Sequence, residues 1–351
     1  MALTDSIREK ISMEVIKTLV SRFANFPEDA NGNRNAPFHE AFLKAFSDKI
    51  NDKVSDVPFF ISLSSWLQGL NTTLGQSFFE NVARILCCGE KKEFTSGRNG
   101  VLRITTRQKE AINDIISDLN NSKFDPDLQR ENDILFQDDD TDLTDSIGFS
   151  ADVFFINENS VNAIELKSVK PNVGEMRGEK QKILHGKAAL YKEYPGKTIN
   201  FFIGFPFDPT VDVKSESIDS YCKERFVDSC IGMDKFFSFD EILIARDLWD
   251  FFSGQTNTMM EILEIINKIA TPQFSCKYEM LRDSSKWRNS EYITQLNDWN
   301  LYTEIELIRN KSIIEMNSNK GGQLRLLCKN GFKENGDYDW SRAYELRCLI
   351  K

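Results

Sequence analysis

Histidine is nearly missing from this 351-residue chain, which has only His39 and His185. That scarcity removes the usual histidine-rich zinc site, and a Ser-His-Asp triad would have to draw on one of these two residues. Cysteine is odd in number. Of the seven, Cys87 and Cys88 lie together in an apolar stretch, and Cys222, Cys230, Cys276, Cys328 and Cys348 form no CxxC pair. Such spacing gives no disulfide framework, and these residues read as reduced thiols that pack as small hydrophobes. No apolar run approaches the roughly 18 residues of a membrane span, and the opening MALTDSIREK lacks the charged-then-apolar layout of a signal peptide. The expected compartment is the cytoplasm, with no membrane association. A dinucleotide-binding glycine fingerprint, a P-loop and a nucleophile elbow are also absent, which argues against a small-molecule enzyme of those classes. The Gly321-Gly322 pair is too little to cradle a phosphate. There is no internal repeat or low-complexity tract.

The chain is 40% hydrophobic and 28% charged, the profile of an ordinary globular protein. Its length exceeds the usual 100 to 200 residues of one domain, so one elaborated α/β domain or two packed lobes are expected. The net charge of −10 would normally oppose nucleic-acid binding. Its distribution along the chain points the other way. Glu131 to Glu165 holds ten acidic residues and no Lys or Arg, whereas Leu166 to Lys197 holds eight Lys or Arg against Glu175, Glu179 and Glu193. An acidic cluster beside a basic stretch is what a divalent-metal site facing a polyanion requires; a solvated acidic loop beside a charged helix would look the same.

Hydrophobic spacing predicts helices over 4–24 (Ile7, Ile11, Val15, Ile16, Leu19, Val20, Phe23), about 38–54, 73–88 and 106–120, the last started by Thr105 or Thr106. Asn31-Gly32-Asn33 is a turn signal. The period then changes. ADVFFIN at 151–157 and NAIELKSV at 162–169 read as two antiparallel strands joined by a tight turn. A helix over 176–193 and a buried strand over 198–207 follow, giving a mixed sheet with helices on its faces. Helices are expected at 239–253 and 257–270, with Gly254 just past the first and Thr256 or Asn257 capping the second. The predicted organisation is a 1–270 domain with a mostly helical N-terminal part and a core at about 73–210, then a 271–351 α+β extension with a soft boundary near Pro272.

The chemistry concentrates on the two middle strands. Alternate residues of a strand share a face, so Glu165 and Lys167 project together while Leu166 turns into the core, and Asp152 comes within reach from the neighbouring strand. Both strands are otherwise apolar, so charge there needs a reason. Two carboxylates and an ammonium around one point suit phosphodiester hydrolysis. The carboxylates would hold a hard cation such as Mg²⁺, and the lysine would orient or help deprotonate a water or steady the transition state.

Asp152, then Glu165-x-Lys167, then a helix and a strand resemble the PD-(D/E)xK nuclease core, and Glu80 in GQSFFENVARIL matches the helical glutamate that often precedes that motif. More narrowly, TLGQSFFENVARIL with DVFFINENSVNAIELKSVKPNVGEMRGEKQKIL resembles the TdeIII-type family of type II restriction endonucleases, over about residues 10 to 270. Ala151 stands where the motif has proline; that position carries no ligand. The resemblance implies Mg²⁺-dependent cleavage of double-stranded DNA at a short palindrome, GGNCC among relatives, by a homodimer paired with a DNA methyltransferase. It implies Asp152, Glu165 and Glu80 as metal ligands and Lys167 as the catalytic lysine. In that frame Lys170, Asn172, Arg177, Lys180, Gln181, Lys182 and Lys187 become candidates for DNA contact, with Arg177 and Lys180 as guanine readers. Lys91, Lys92 and Arg98, and the Lys286 to Arg288 region, are further candidate backbone contacts. Trp287 reads as core, and Asp138-Asp139-Asp140 as a solvated loop. The competing readings are a repair nuclease of the same core and a DNA-binding protein with a degenerate one.

Overall fold

A computed structural model describes residues 2–27, 43, 57–95, 100–137, 142–167, 173–283, 286–287, 289–318 and 321–350. The expected helix at 38–54, the Asn31-Gly32-Asn33 turn, His39, Asp138 to Asp140, and Arg98, Lys170, Asn172 and Arg288 lie outside these residues, apart from helical Leu43. The chain divides into two compact units: Phe79–Ile262 together with the stretch ending at Leu3, and Thr4–Phe78 together with Leu263–Lys351. The N-terminal helical part groups with the C-terminal part in this division.

The first unit is built on a mixed sheet. Its strands are β1 (Glu90–Phe94), β4 (Phe149–Ile156), β5 (Ser160–Leu166), β6 (Thr198–Phe205) and β7 (Ile242–Ile244), in that spatial order, while β2 (Arg103–Thr105) and β3 (Leu143–Asp145) form a separate ribbon. β1 pairs antiparallel with β4 and β4 with β5, and β5, β6 and β7 run parallel. The near-continuous apolar runs of β4, β5 and β6 are those of strands covered on both faces. One cover is the Val173–Glu193 helix, whose Gly186 lies so close to Phe201 of β6 that an added Cβ would stand 2.4 Å from the ring. The other includes the Arg246–Ser253 helix, with Leu248 against Gly204 and Phe251 edge-on to Phe202 at 5.5 Å. The helix expected over 239–253 is therefore three elements, a 3-10 turn at Phe239–Glu241, β7 and a helix. Ile242 and Ile244 meet Ile203 and Phe205 in parallel register and are fully buried, so a sheet edge wins over helical periodicity.

Local signals set several boundaries as expected. The Thr106–Asn120 helix opens with a reciprocal capping box, in which the Gln108 backbone N–H donates to Thr105 Oγ at 3.1 Å and the Thr105 N–H donates to Gln108 Oε1 at 3.0 Å. Gly254 ends the Arg246–Ser253 helix in the left-handed region at φ 65°. At the Thr258–Ile269 helix the cap comes from elsewhere, since Asp250 accepts from the Thr258 and Asn257 N–H groups at 2.9 and 3.3 Å.

In the second unit, Asp5–Phe23 is a helix capped by Thr4 that buries Ile11, Met13, Val15 and Ile16. Phe23 remains 50% exposed while stacking on Phe274 at 5.4 Å. A helix at Val57–Thr73 precedes the expected 73–88 helix, whose first turn is π-helical at Leu74–Phe78. The part beyond residue 271 is helical among the described residues, with a single isolated bridge, Phe332 to Tyr338, in place of the expected α+β mixture. Its buried polar centre is Glu304, which accepts from Arg342 Nη1 at 2.7 Å and the Tyr338 hydroxyl at 2.5 Å.

Candidate active site

The β4–β5 pairing sets the site. Val153 pairs with Ile164, and Asp152 and Glu165 are the next residue on each strand, close enough that the Asp152 charge acts on the Glu165 carboxyl. Asp152 Oδ2 accepts the Leu166 backbone N–H at 3.0 Å, fixing the carboxylate at the end of β5. One residue further, the Lys167 N–H donates to Gly204 O at 2.8 Å, which extends the parallel pairing and holds the lysine backbone in place. Glu80 comes from the first turn of the Phe79–Cys87 helix. Lys91 of β1 links it to the sheet, with Nζ 3.4 Å from Glu80 Oε2 and 3.3 Å from Asp152 Oδ1. Sequence reasoning placed Glu80, Asp152, Glu165 and Lys167 together, and the structure does bring them into one cluster.

That cluster contains groups the sequence did not place there. Lys167 Nζ lies 2.8 Å from Glu179 Oε1 and 3.3 Å from Glu165 Oε1. Lys182 Nζ lies 2.5 Å from Glu165 Oε2 and 3.7 Å from Glu179 Oε2. The four side chains close a ring of alternating charge between β5 and the Val173–Glu193 helix. Glu179 and Lys182 are three apart and so face the same way. That spacing is the only signal in the sequence that could have paired them.

Burial pushes the Glu165 carboxyl above its usual range, and the charge of Asp152 pushes it further, against the pull of Lys182. Glu80 is raised by the same two causes, against Lys91 and Arg84. Burial disfavours the Lys167 ammonium, but Glu179 and Glu165 outweigh it, so its pKa lies above the ordinary lysine value. The donors Glu80, Asp152 and Glu165 are all oxygen, with no nitrogen or sulfur among them, and Asp152 repels both glutamates. A hard divalent cation answers both conditions. Among the described residues no three His, Cys, Asp or Glu side chains already stand at metal-holding distance; lysine ammonium groups take the carboxylate oxygens instead.

Residues 3–270 match the family model of the HinfI type II restriction endonucleases. The chain belongs to that family. It is also 40% identical to the type II restriction enzyme MjaII of Methanocaldococcus jannaschii, over 99% of this chain and 97% of that protein. No solved structure matches it. The ground common to this match and the TdeIII-type resemblance is a type II restriction endonuclease. The HinfI-family chain is thus a site-specific endonuclease that acts on DNA. Among the described residues no helix is long and apolar enough to cross a membrane.

The candidate DNA-contact residues of this endonuclease separate by burial. Arg177 is exposed, and Gln181 and Lys182 are half-buried. Lys180 and Lys187 are corrections, at 0% and 1% exposed. Lys180 Nζ lies 2.6 Å from Glu131 and 2.7 Å from Glu241, and Lys187 Nζ lies 3.5 Å from Glu241. These ammonium groups are committed to the interior and cannot meet a phosphate. Burial depresses the Lys187 pKa, with Lys180 adding to the effect, and raises that of Glu131; Glu241 feels the same burial penalty but is held ionised by its two lysines. The sequence carried a signal for this. Met176, Lys180, Ile183, Lys187 and Leu190 recur at four- and three-residue steps, and all are buried. Trp287 is buried as expected, and Lys286 is paired with Asp283 at 3.6 Å.

Proposed function

We propose that this endonuclease hydrolyses DNA phosphodiesters through a PD-(D/E)xK-type site in which Glu80, Asp152 and Glu165 hold Mg²⁺. The observation that carries the reading is Asp152 one step past the Val153–Ile164 pair, its carboxylate accepting the N–H of Leu166 between Glu165 and Lys167, with Glu80 joined to Asp152 through Lys91. When bound, Mg²⁺ would stabilise charge on the phosphate and acidify a water. Lys167 Nζ would orient the attacking water or help deprotonate it, or steady a non-bridging phosphate oxygen. Glu179 aims the Lys167 Nζ, and the Leu166 N–H keeps Asp152 turned toward the end of the strand. Arg177, exposed on the helix that follows, would meet the backbone or a guanine edge.

A twofold assembly on a twofold site lets each subunit cut one strand, so the working form is a homodimer, paired in the cell with a methyltransferase that protects the same sequence. The compartment is the cytoplasm. The test is to incubate the protein with unmethylated phage DNA in Mg²⁺ and in EDTA. Discrete bands that require Mg²⁺ support the reading, and mapping their ends gives the site, with GGNCC the first duplex to try. A smear or intact DNA in Mg²⁺ contradicts it.

A further inference from the structure

Lys91 sits at an irregularity in the sheet. Glu90 pairs with Phe154 and Lys92 with Ala151, so one residue of β1 faces two of β4, Asp152 and Val153. A bulge of this kind re-aims the side chains beside it, and here it turns Lys91 and Asp152 toward each other. Lys91 Nζ is within 3.3 Å of Asp152 and 3.4 Å of Glu80, two carboxylates assigned above to the metal. Its neighbour Lys92 goes elsewhere, over the Phe154 ring at 4.6 Å and beside Glu90 at 3.5 Å. The Lys91 side chain is 40% exposed, so its ammonium has an open route away from the cluster.

We infer that Lys91 is a resident counter-ion of the carboxylate cluster, which the divalent cation must displace and which then turns its ammonium to the DNA phosphate lying over the site. Lys91 holds the Glu80 Oε2 and Asp152 Oδ1 oxygens that the cation would take, and an ammonium and a divalent cation a few ångströms apart repel. Lys91 therefore keeps metal affinity low in the free protein, and a phosphodiester gives the displaced ammonium a new anion. Metal loading and DNA binding then favour each other. This rests on the metal reading of the preceding subsection.

The experiment titrates the full-length protein with Mn²⁺ alone, without DNA, by calorimetry. It uses wild type, Lys91→Met, Lys91→Gln, Lys91→Arg, Lys92→Met and Asp152→Asn, each checked by a thermal melt. Both neutral Lys91 variants should bind Mn²⁺ about tenfold more tightly than wild type, equivalent to about 1.4 kcal/mol. Lys91→Arg and Lys92→Met should stay within about twofold. Unchanged or weaker Mn²⁺ binding in the folded neutral variants overturns the role of Lys91 and leaves the metal site standing. Absence of any Mn²⁺ binding that Asp152→Asn removes, in wild type and in both neutral variants, overturns the metal site and this inference together.

Discussion

Replacing Lys180 with Met separates a structural lysine from a DNA-binding one. The side chain is fully buried, with Glu131 Oε2 at 2.6 Å and the two Glu241 oxygens at 2.7 and 2.8 Å, and the Phe237 ring centre at 5.3 Å. Methionine keeps the stem and removes the charge, leaving Glu241 with Lys187 at 3.5 Å as its nearest ammonium. Breaking a buried ion pair by removing one partner costs about 3–5 kcal/mol, because the remaining charge stays desolvated. For a unit of this size each kcal/mol lowers Tm by about 2–4 °C, so a fall of about 6–20 °C is expected. A thermal melt followed by circular dichroism measures it, beside DNA binding at low temperature across a salt series. The expected result is a large fall in Tm with the salt dependence of DNA binding unchanged. A Tm within about 2 °C of wild type, with a salt slope reduced by about one unit, would refute the reasoning and put Lys180 on the DNA.

Other outcomes follow from the same geometry. His185 is buried, its Nδ1 accepts the Ile147 N–H at 3.5 Å, and burial, aided by Lys109, lowers its pKa to about 4. The unfolded ring takes a proton below about pH 6.5 and the folded ring only near 4, so this stability is full above 6.5 and is lost as pH falls toward 4. Between pH 7 and 5, wild type should lose on the order of 1–2 kcal/mol more than His185→Gln, allowing for partial solvent screening; equal losses in urea melts would refute this. Gly186→Ala puts a Cβ 2.4 Å from Phe201, and overpacking exceeds the gain in helix propensity, for a net loss of about 1–2 kcal/mol; a more stable variant contradicts the packing. Tyr338→Phe removes the hydroxyl that donates to Glu304 at 2.5 Å and should cost about 1.5–3 kcal/mol by chemical unfolding, as for a hydrogen bond to a charged group; no loss would mean that Glu304 is satisfied without it.

The carboxylate–lysine constellation was legible because a strand has period two: once 151–157 and 162–169 were read as a hairpin, Asp152, Glu165 and Lys167 fell together by geometry alone. The Thr105 cap was legible for the same local reason, a side chain reaching three residues along. What escaped depends on distant parts of the chain. β7 is three residues long, too short for a periodicity to speak, and is defined by its pairing with Ile203 and Phe205. Lys180 and Lys187 looked like a basic helix face because Glu131 and Glu241, which bury them, are 49 and 54 residues away in sequence from Lys180 and Lys187 respectively. The place of Lys91 depends on a bulge in β4 that no spacing in β1 announces. The helical second unit joins Thr4–Phe78 to Leu263–Lys351 through contacts such as Thr303, whose N–H and hydroxyl donate to the buried Glu9 at 2.6 and 2.7 Å; nothing local marks that union.

The most direct test of the site is Lys167→Ala assayed beside wild type on unmethylated DNA, with cleavage, DNA binding and thermal stability measured on the same preparations. Lys167 reaches Glu165 and Glu179 from a backbone held by Gly204 O, so its side chain can be removed without disturbing the strand. The account predicts that Mg²⁺-dependent cleavage disappears while DNA binding and the melt remain close to wild type. A Lys167→Ala protein that still cuts DNA at the wild-type rate would contradict the assignment of this cluster as the active site.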